Sequence, residues 1–107
     1  MGTTNKKESF GEIINGEKPV LVDFTAAWCG PCKMMKPVLD QLHQQMGDTL
    51  RIIKIDIDKS PAAANAYNVQ SVPTLLLFQQ GKIVWRQSGV LQAAQLKSIV
   101  QQYTTSK

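Results

Sequence analysis

Between Pro19 and Phe24 the chain reads PVLVDF, and Val20, Leu21, Val22 and Phe24 are apolar on both parities of a two-residue repeat. A half-buried strand alternates, so this run predicts a strand covered on both faces and central in a sheet. Upstream, Phe10, Ile13 and Ile14 recur at helical spacing, and Asn15-Gly16 closes this short helix. From Pro31 the period is again helical. Met35, Val38, Leu39, Leu42 and Met46 form one apolar stripe, which Gly47 ends. Pro37 inside the stripe predicts a kink. LRIIKIDI, residues 50–57, is rich in β-branched residues and predicts a second strand. Ser60-Pro61 reads as N-cap and first position of a short helix through Tyr67, and Asn68 suits the left-handed position past its end. VPTLLLF, residues 72–78, predicts a third strand, and Gln80-Gly81 turns it into a fourth, KIVWRQS. After Gly89, Leu96, Ile99, Val100 and Tyr103 mark a last amphipathic helix.

The strand–helix–strand opening implies a right-handed parallel crossover, and the closing hairpin is antiparallel. The prediction is therefore an α/β fold with a mixed sheet of four strands and helices on both faces. The 107 residues fit a single domain, 1–107, with polar residues 1–8 as a mobile N-terminal segment. With 43% apolar residues, the chain can fill a core without a covalent staple. The start, MGTTNKKESF, has no apolar signal region, and no apolar run approaches a membrane span. Lys6 stands where a myristoylation signal needs Ser or Thr. These features predict a soluble cytoplasmic protein. The net charge of +4 comes from basic residues scattered from Lys6 to Lys107, with few aromatics, so nucleic acid is not the expected partner. No helix shows a second apolar face, which predicts a monomer.

Both cysteines fall in WCGPCK, residues 28–33. A disulfide across two intervening residues closes almost no loop and constrains the unfolded chain little, so a structural staple is a weak reading. A closed zinc site needs four ligands, and this chain offers two cysteines and His43, itself placed on the surface of the same helix. No metal is expected within one chain. A redox dithiol fits better. WCGPC spans the join between the end of a central strand and a helix N-terminus, where Pro31 is tolerated. Cys29 and Cys32 are one turn apart and share a side. Unpaired N–H groups and the positive end of the helix dipole favour a thiolate at Cys29, the attacking species in disulfide exchange. Cys32, one turn deeper, is expected to be less exposed and to resolve the mixed disulfide.

Two charges interrupt apolar runs: Asp23 in PVLVDF and Lys54 in RIIKIDI. An isolated buried charge is costly, so the two are expected to lie near each other. Burial raises the carboxyl pKa and the lysine partly opposes the shift. Asp23 then either exchanges a proton with the cysteines or belongs to an ion pair that only specifies the fold. Val72-Pro73-Thr74 opens the third strand with either an ordinary trans proline or a cis bond beside the cysteines. In the second case an extended substrate segment pairs with the Val72 backbone. Trp28 reads as core or, beside a loop, as a partly exposed contact surface. Trp85 reads as sheet packing.

Together these residues resemble the thioredoxin family. W-C-G-P-C-K is complete at Trp28 to Lys33, V-D-F precedes it, V-P-T stands at Val72 to Thr74 and G-V at Gly89, and the likeness covers roughly residues 9–103. The resemblance implies the thioredoxin fold, a three-layer α/β/α arrangement. It implies a cytosolic protein disulfide reductase with no bound cofactor, recharged from NADPH through a flavoprotein thioredoxin reductase. It marks Cys29 as nucleophile, Cys32 as resolving cysteine and Asp23 with Lys54 as the proton-handling pair. It implies a cis Pro73. It places Trp28, Gly30, Pro31, Val72, Pro73 and Gly89 on the surface that meets disulfide-containing client proteins.

The sequence also departs from the family pattern. Members begin with an apolar strand, and MGTTNKKES has nothing apolar after Met1, so that edge strand is expected to be missing or very short. Thr25 stands where many members carry an aromatic, Ala27 near a usual acid, Ser71 at a frequent glycine, and Gln92 at the usual Ser or Thr cap of the last helix. Lys33 and Lys36, without an acid at position 27, predict a positive rim beside Cys29 and some preference for acidic substrates. Gly-Pro between the cysteines favours a reductase over an oxidase or isomerase. A binding or scaffold subunit with incidental cysteines is the alternative from another class, and Cys29→Ser separates it from a reductase.

Overall fold

A computed structural model describes residues 10–104. Residues 1–9, which include the expected mobile segment and the position of a family N-terminal strand, lie outside it. The elements follow in chain order as α1 (Phe10–Ile14), β1 (Val20–Thr25), α2 (Gly30–Met46), a 3-10 turn (Gly47–Thr49), β2 (Arg51–Asp56), α3 (Pro61–Ala66), β3 (Thr74–Gln79), β4 (Lys82–Ser88) and α4 (Ala93–Thr104). Among the described residues the sheet has four strands in the order β2-β1-β3-β4. β1 pairs with β2 in parallel and with β3 antiparallel, and β3 pairs with β4 antiparallel, with an irregularity between Leu77 and Phe78.

The parity of β1 divides the core in two. Leu21 joins Leu75 and Leu77 of β3, Met35, Leu39 and Leu42 of α2, and Leu96 and Val100 of α4 on one face. Val20, Val22 and Phe24 join Leu76, Phe78 and Ile14 on the other, with Phe10 and Tyr67 packed against them. The ring of Tyr67 meets Phe78 edge-on with centroids 5.4 Å apart, and Phe10 meets both rings in the same manner. This is why PVLVDF carries apolar residues on both parities. Asp23 shares its parity with Leu21, which puts its carboxyl in the α2 layer, the layer of the cysteine helix.

Small polar devices set the ends of elements. Asn68, at φ 55°, turns the chain out of α3, and Arg86 of β4 donates hydrogen bonds to the Tyr67 and Asn68 carbonyls there. The expected third strand begins two residues late, at Thr74, because the chain bends through Ser71–Pro73. α2 continues as a helix through Pro37. Trp85 packs half-buried against the α2/α4 face of the core. No helix among the described residues is long and apolar enough to cross a membrane.

Candidate active site

β1 delivers the chain from the sheet centre to Thr25, and α2 starts at Gly30, so the WCGPC segment occupies the strand-to-helix join. Cys29 is the N-cap of α2, with φ −90° and ψ 113°, and Pro31 lies in its first turn. The Cys29 N–H donates to the Ala26 carbonyl at 3.2 Å, which fixes the approach to the helix. Cys29 and Cys32 form a disulfide with their Cα atoms 5.3 Å apart. The Cys32 backbone N–H points at Cys29 Sγ at 3.1 Å. A capping oxygen takes this donor at most helix starts; here a sulfur takes it, so a thiolate at Cys29 gains a hydrogen bond and the positive helix end together.

The expected difference in exposure is not found. Both cysteines are buried, Cys29 at 4% and Cys32 at 6% of full exposure. Cys29 Sγ lies 3.7 Å from the Val72 carbonyl, which covers it; in the disulfide this sulfur has no proton to donate, so the contact is van der Waals packing. Cys32, though buried, borders a cleft on its other side. This cleft, of about 310 Å³, is also bordered by Thr25, Ala26 and Ala27, whose small side chains leave it unfilled. The asymmetry of the pair therefore rests on the aimed amide and not on depth.

Asp23 is 2% exposed and its Oδ1 has no hydrogen-bond partner. Burial pushes its pKa up to about 6, and Lys54 opposes part of that rise. Lys54 stands directly opposite Asp23 in the β1–β2 register. The expected buried pair is corrected in one respect: Lys54 is exposed, and no ion pair within 4 Å joins it to Asp23. β2 is the sheet edge among the described residues, so its lysine runs to solvent while the central strand holds the carboxyl inside.

The Val72–Pro73 bond is cis. The Pro73 carbonyl accepts the Gly89 N–H at 2.9 Å, which joins the two loops beside the disulfide. Pro73 itself is buried and so offers no side-chain surface, because it enters β3, an interior strand; Val72 and Gly89 are half-buried, and Gly30 and Pro31 are exposed. Trp28 is 69% exposed, the most exposed large apolar residue among the described residues, with Met34 at 61%. Ser71, in place of the frequent glycine, donates to Ser88 at 3.2 Å, and Ser88 lies 2.9 Å from the Thr74 hydroxyl. Thr74 in turn donates to the Ser71 carbonyl at 2.7 Å, pinning the loop that presents Val72. His43 is exposed on α2, and no group of three potential metal ligands occurs among the described residues.

One contributor escaped the sequence reading. The Trp28 indole N–H donates to Asp58 Oδ2 at 2.8 Å across thirty positions of sequence, which holds the exposed ring in place. Only Asp56 carried a local signal: its Oδ1 accepts the N–H groups of Asp58 and Lys59 at 2.8 and 3.2 Å, an aspartate-anchored turn that presents Asp58. A larger cleft of about 760 Å³ lies between β2, the second half of α2 and the loop after α1, and neither cysteine borders it. Cys32 borders the smaller one.

A polarised dithiol at the end of a central strand, beside a buried carboxyl and a cis-proline loop, defines a thiol–disulfide oxidoreductase. The family described as Thioredoxin matches residues 2–102. A Synechocystis thioredoxin-like protein, slr0233, is 50% identical over 97 residues, covering 90% of this chain and 92% of that one. Thioredoxin Y2, chloroplastic, of Arabidopsis thaliana is 45% identical over 82% of this chain, which spans 53% of that protein's length. The structure of a mutant thioredoxin from Halobacterium salinarum superposes with a TM-score of 0.80 at 39% identity, covering 88% of this chain and 81% of that one. The chain belongs to the thioredoxin family. It is a protein disulfide reductase whose redox-active disulfide is Cys29–Cys32.

Proposed function

We propose that Cys29 is the attacking thiolate and Cys32 the resolving one, and the observation that carries this is the Cys32 N–H aimed at Cys29 Sγ at 3.1 Å. The Cys29 thiolate attacks one sulfur of a client disulfide, a Cys29–client bond forms, and the second client sulfur leaves as a thiolate. The Cys32 thiolate then attacks Cys29 Sγ. The Cys29–Cys32 bond forms and the first client sulfur leaves. The client gains two electrons and two protons, and the pair is left oxidised. Asp23 is the group that takes the Cys32 proton when that thiol must attack, and Lys54 tunes it from across the strand pair; its pKa near 6 leaves it mostly ionised and receptive at neutral pH.

Trp28, Gly30, Pro31, Val72 and Gly89 form the client surface around the disulfide, with Pro73 setting the loop from beneath. An extended client segment pairs with the Val72 backbone. The oxidised pair is recharged from NADPH through a flavoprotein thioredoxin reductase. The chain works as a single-domain monomer in the reducing cytoplasm, on disulfide-containing client proteins.

Equilibration against defined glutathione buffers, followed by Trp28 fluorescence, tests the direction of electron flow. A Cys29–Cys32 couple more reducing than glutathione is the expected result. A couple as oxidising as glutathione or more so contradicts the reductant role and favours an oxidase or isomerase.

A further inference from the structure

We propose that the cleft beside Cys32 is a carboxylate subsite that selects client disulfides flanked by acidic residues. The assignment rests on the roles given to Cys29 and Cys32 and names the substrate class they serve.

The small side chains of Thr25, Ala26 and Ala27 open the cleft, and Lys33, Lys36 and Lys54 border it against one acid, Asp56. The three lysines come from two elements, α2 and β2, and all three are exposed. Asp56 is already engaged, since its Oδ1 accepts two backbone N–H groups. Lys36 pairs with Asp40 at 2.9 Å on the solvent side of α2, which leaves Lys33 and Lys54 as the uncommitted cations of the rim. Asp40 lies on the larger cleft, one helical turn beyond Lys36. It is held below the usual range by its hydrogen bond to Lys36, and the charges of Lys36, Lys54 and His43 add to the effect.

The position suits a client residue. Cys32 borders the cleft, and its Cα is 5.3 Å from that of Cys29, where the client sulfur bonds. An extended chain advances about 3.3 Å per residue, so an acidic residue two or three positions from the client cysteine reaches the cleft. The sequence predicted a positive rim beside Cys29; the structure moves it to the Cys32 side and adds Lys54. Charge complementarity at a rim acts chiefly on encounter rate and is screened by salt.

Three disulfide peptides of one sequence, carrying Glu, Gln or Lys two and three residues from the cysteine, test the proposal with dithiothreitol as the recharging reductant. The expected kcat/KM order is Glu above Gln above Lys at low salt, with a Glu-to-Lys ratio of about tenfold that collapses toward unity in ~1 M salt. Lys33→Glu is expected to cancel or invert that ratio. Lys82→Glu, at the far hairpin, makes the same change in net charge and is expected to preserve it. Equal rates for the three peptides overturn the subsite while the Gln peptide still reports a working reductase. A ratio lowered equally by Lys33→Glu and Lys82→Glu also overturns it, since net charge then explains the preference. Failure to reduce any of the three overturns the cysteine roles and the subsite together.

Discussion

Asp23 keeps one carboxylate oxygen without a partner at 2% exposure, and the fold bears the cost whenever the group ionises. The carboxyl titrates near 3.8 in the unfolded chain and at about 6 in the fold. Between those values the folded protein holds the proton more tightly, so stability falls as pH rises from about 4 to about 6 and stays lowered above. A rise of that size corresponds to about 3 kcal/mol. Asp23→Asn removes the titration. The variant is expected to be more stable than the wild type at pH 7, by up to about 3 kcal/mol in urea denaturation, with the gap closing toward pH 4. It is also expected to resolve mixed disulfides more slowly at neutral pH. Equal urea midpoints at pH 7 contradict the burial account. Unchanged resolution rates contradict the proton role. Both cysteines and Asp23 were legible in the sequence, because an isolated dithiol and a charge inside an apolar run stand out locally. The exposure of Lys54 was not, since it depends on which strand ends the sheet. Neither was the Trp28–Asp58 hydrogen bond, which joins residues thirty positions apart and leaves no periodic trace.

At the scale of elements, apolar periodicity together with cap and turn signals located the four strands and four α-helices of the described residues; β4 matches at both ends, and the predicted strand ends elsewhere differ by one or two residues. The displacements have local causes. Cys29 caps α2 with its sulfur, so the helix starts at Gly30, one residue before the proline that signals it. The bend through Ser71–Pro73 delays β3. The start of α4 is weakly capped. Gln95 Oε1 accepts the Gln92 N–H at 2.9 Å, which is half of a capping box, and the Leu96 N–H donates to the Gln92 carbonyl at 3.1 Å. The missing half is a short side-chain oxygen at position 92 to accept from the first turn of the helix. Gln92→Ser supplies it and is expected to raise stability by about 0.5–1 kcal/mol, read as a higher urea midpoint at unchanged slope. A lower midpoint contradicts this reading of the cap.

On the scale of the whole molecule, the sheet brings three distant stretches to one end: the β1–α2 join, the turn before β3 and the exit of β4 at Gly89. The Pro73 carbonyl to Gly89 N–H bond links the last two, and Cys29 packs on Val72. The disulfide therefore sits in a surface built by three loops while its N–H donor comes from the helix beneath. That division gives Cys29 Sγ a rigid electrostatic setting, and beside it Thr25 and Ala27 depart from the family pattern that WCGPCK otherwise matches. The most direct measurement is to trap the intermediate. Cys32→Ser and Cys29→Ser are each incubated with a neutral disulfide peptide and analysed by intact mass and peptide mapping. The account predicts a stable one-to-one adduct on Cys29 in Cys32→Ser and none in Cys29→Ser. An adduct forming on Cys32 as fast in Cys29→Ser, or no adduct in either variant, contradicts it.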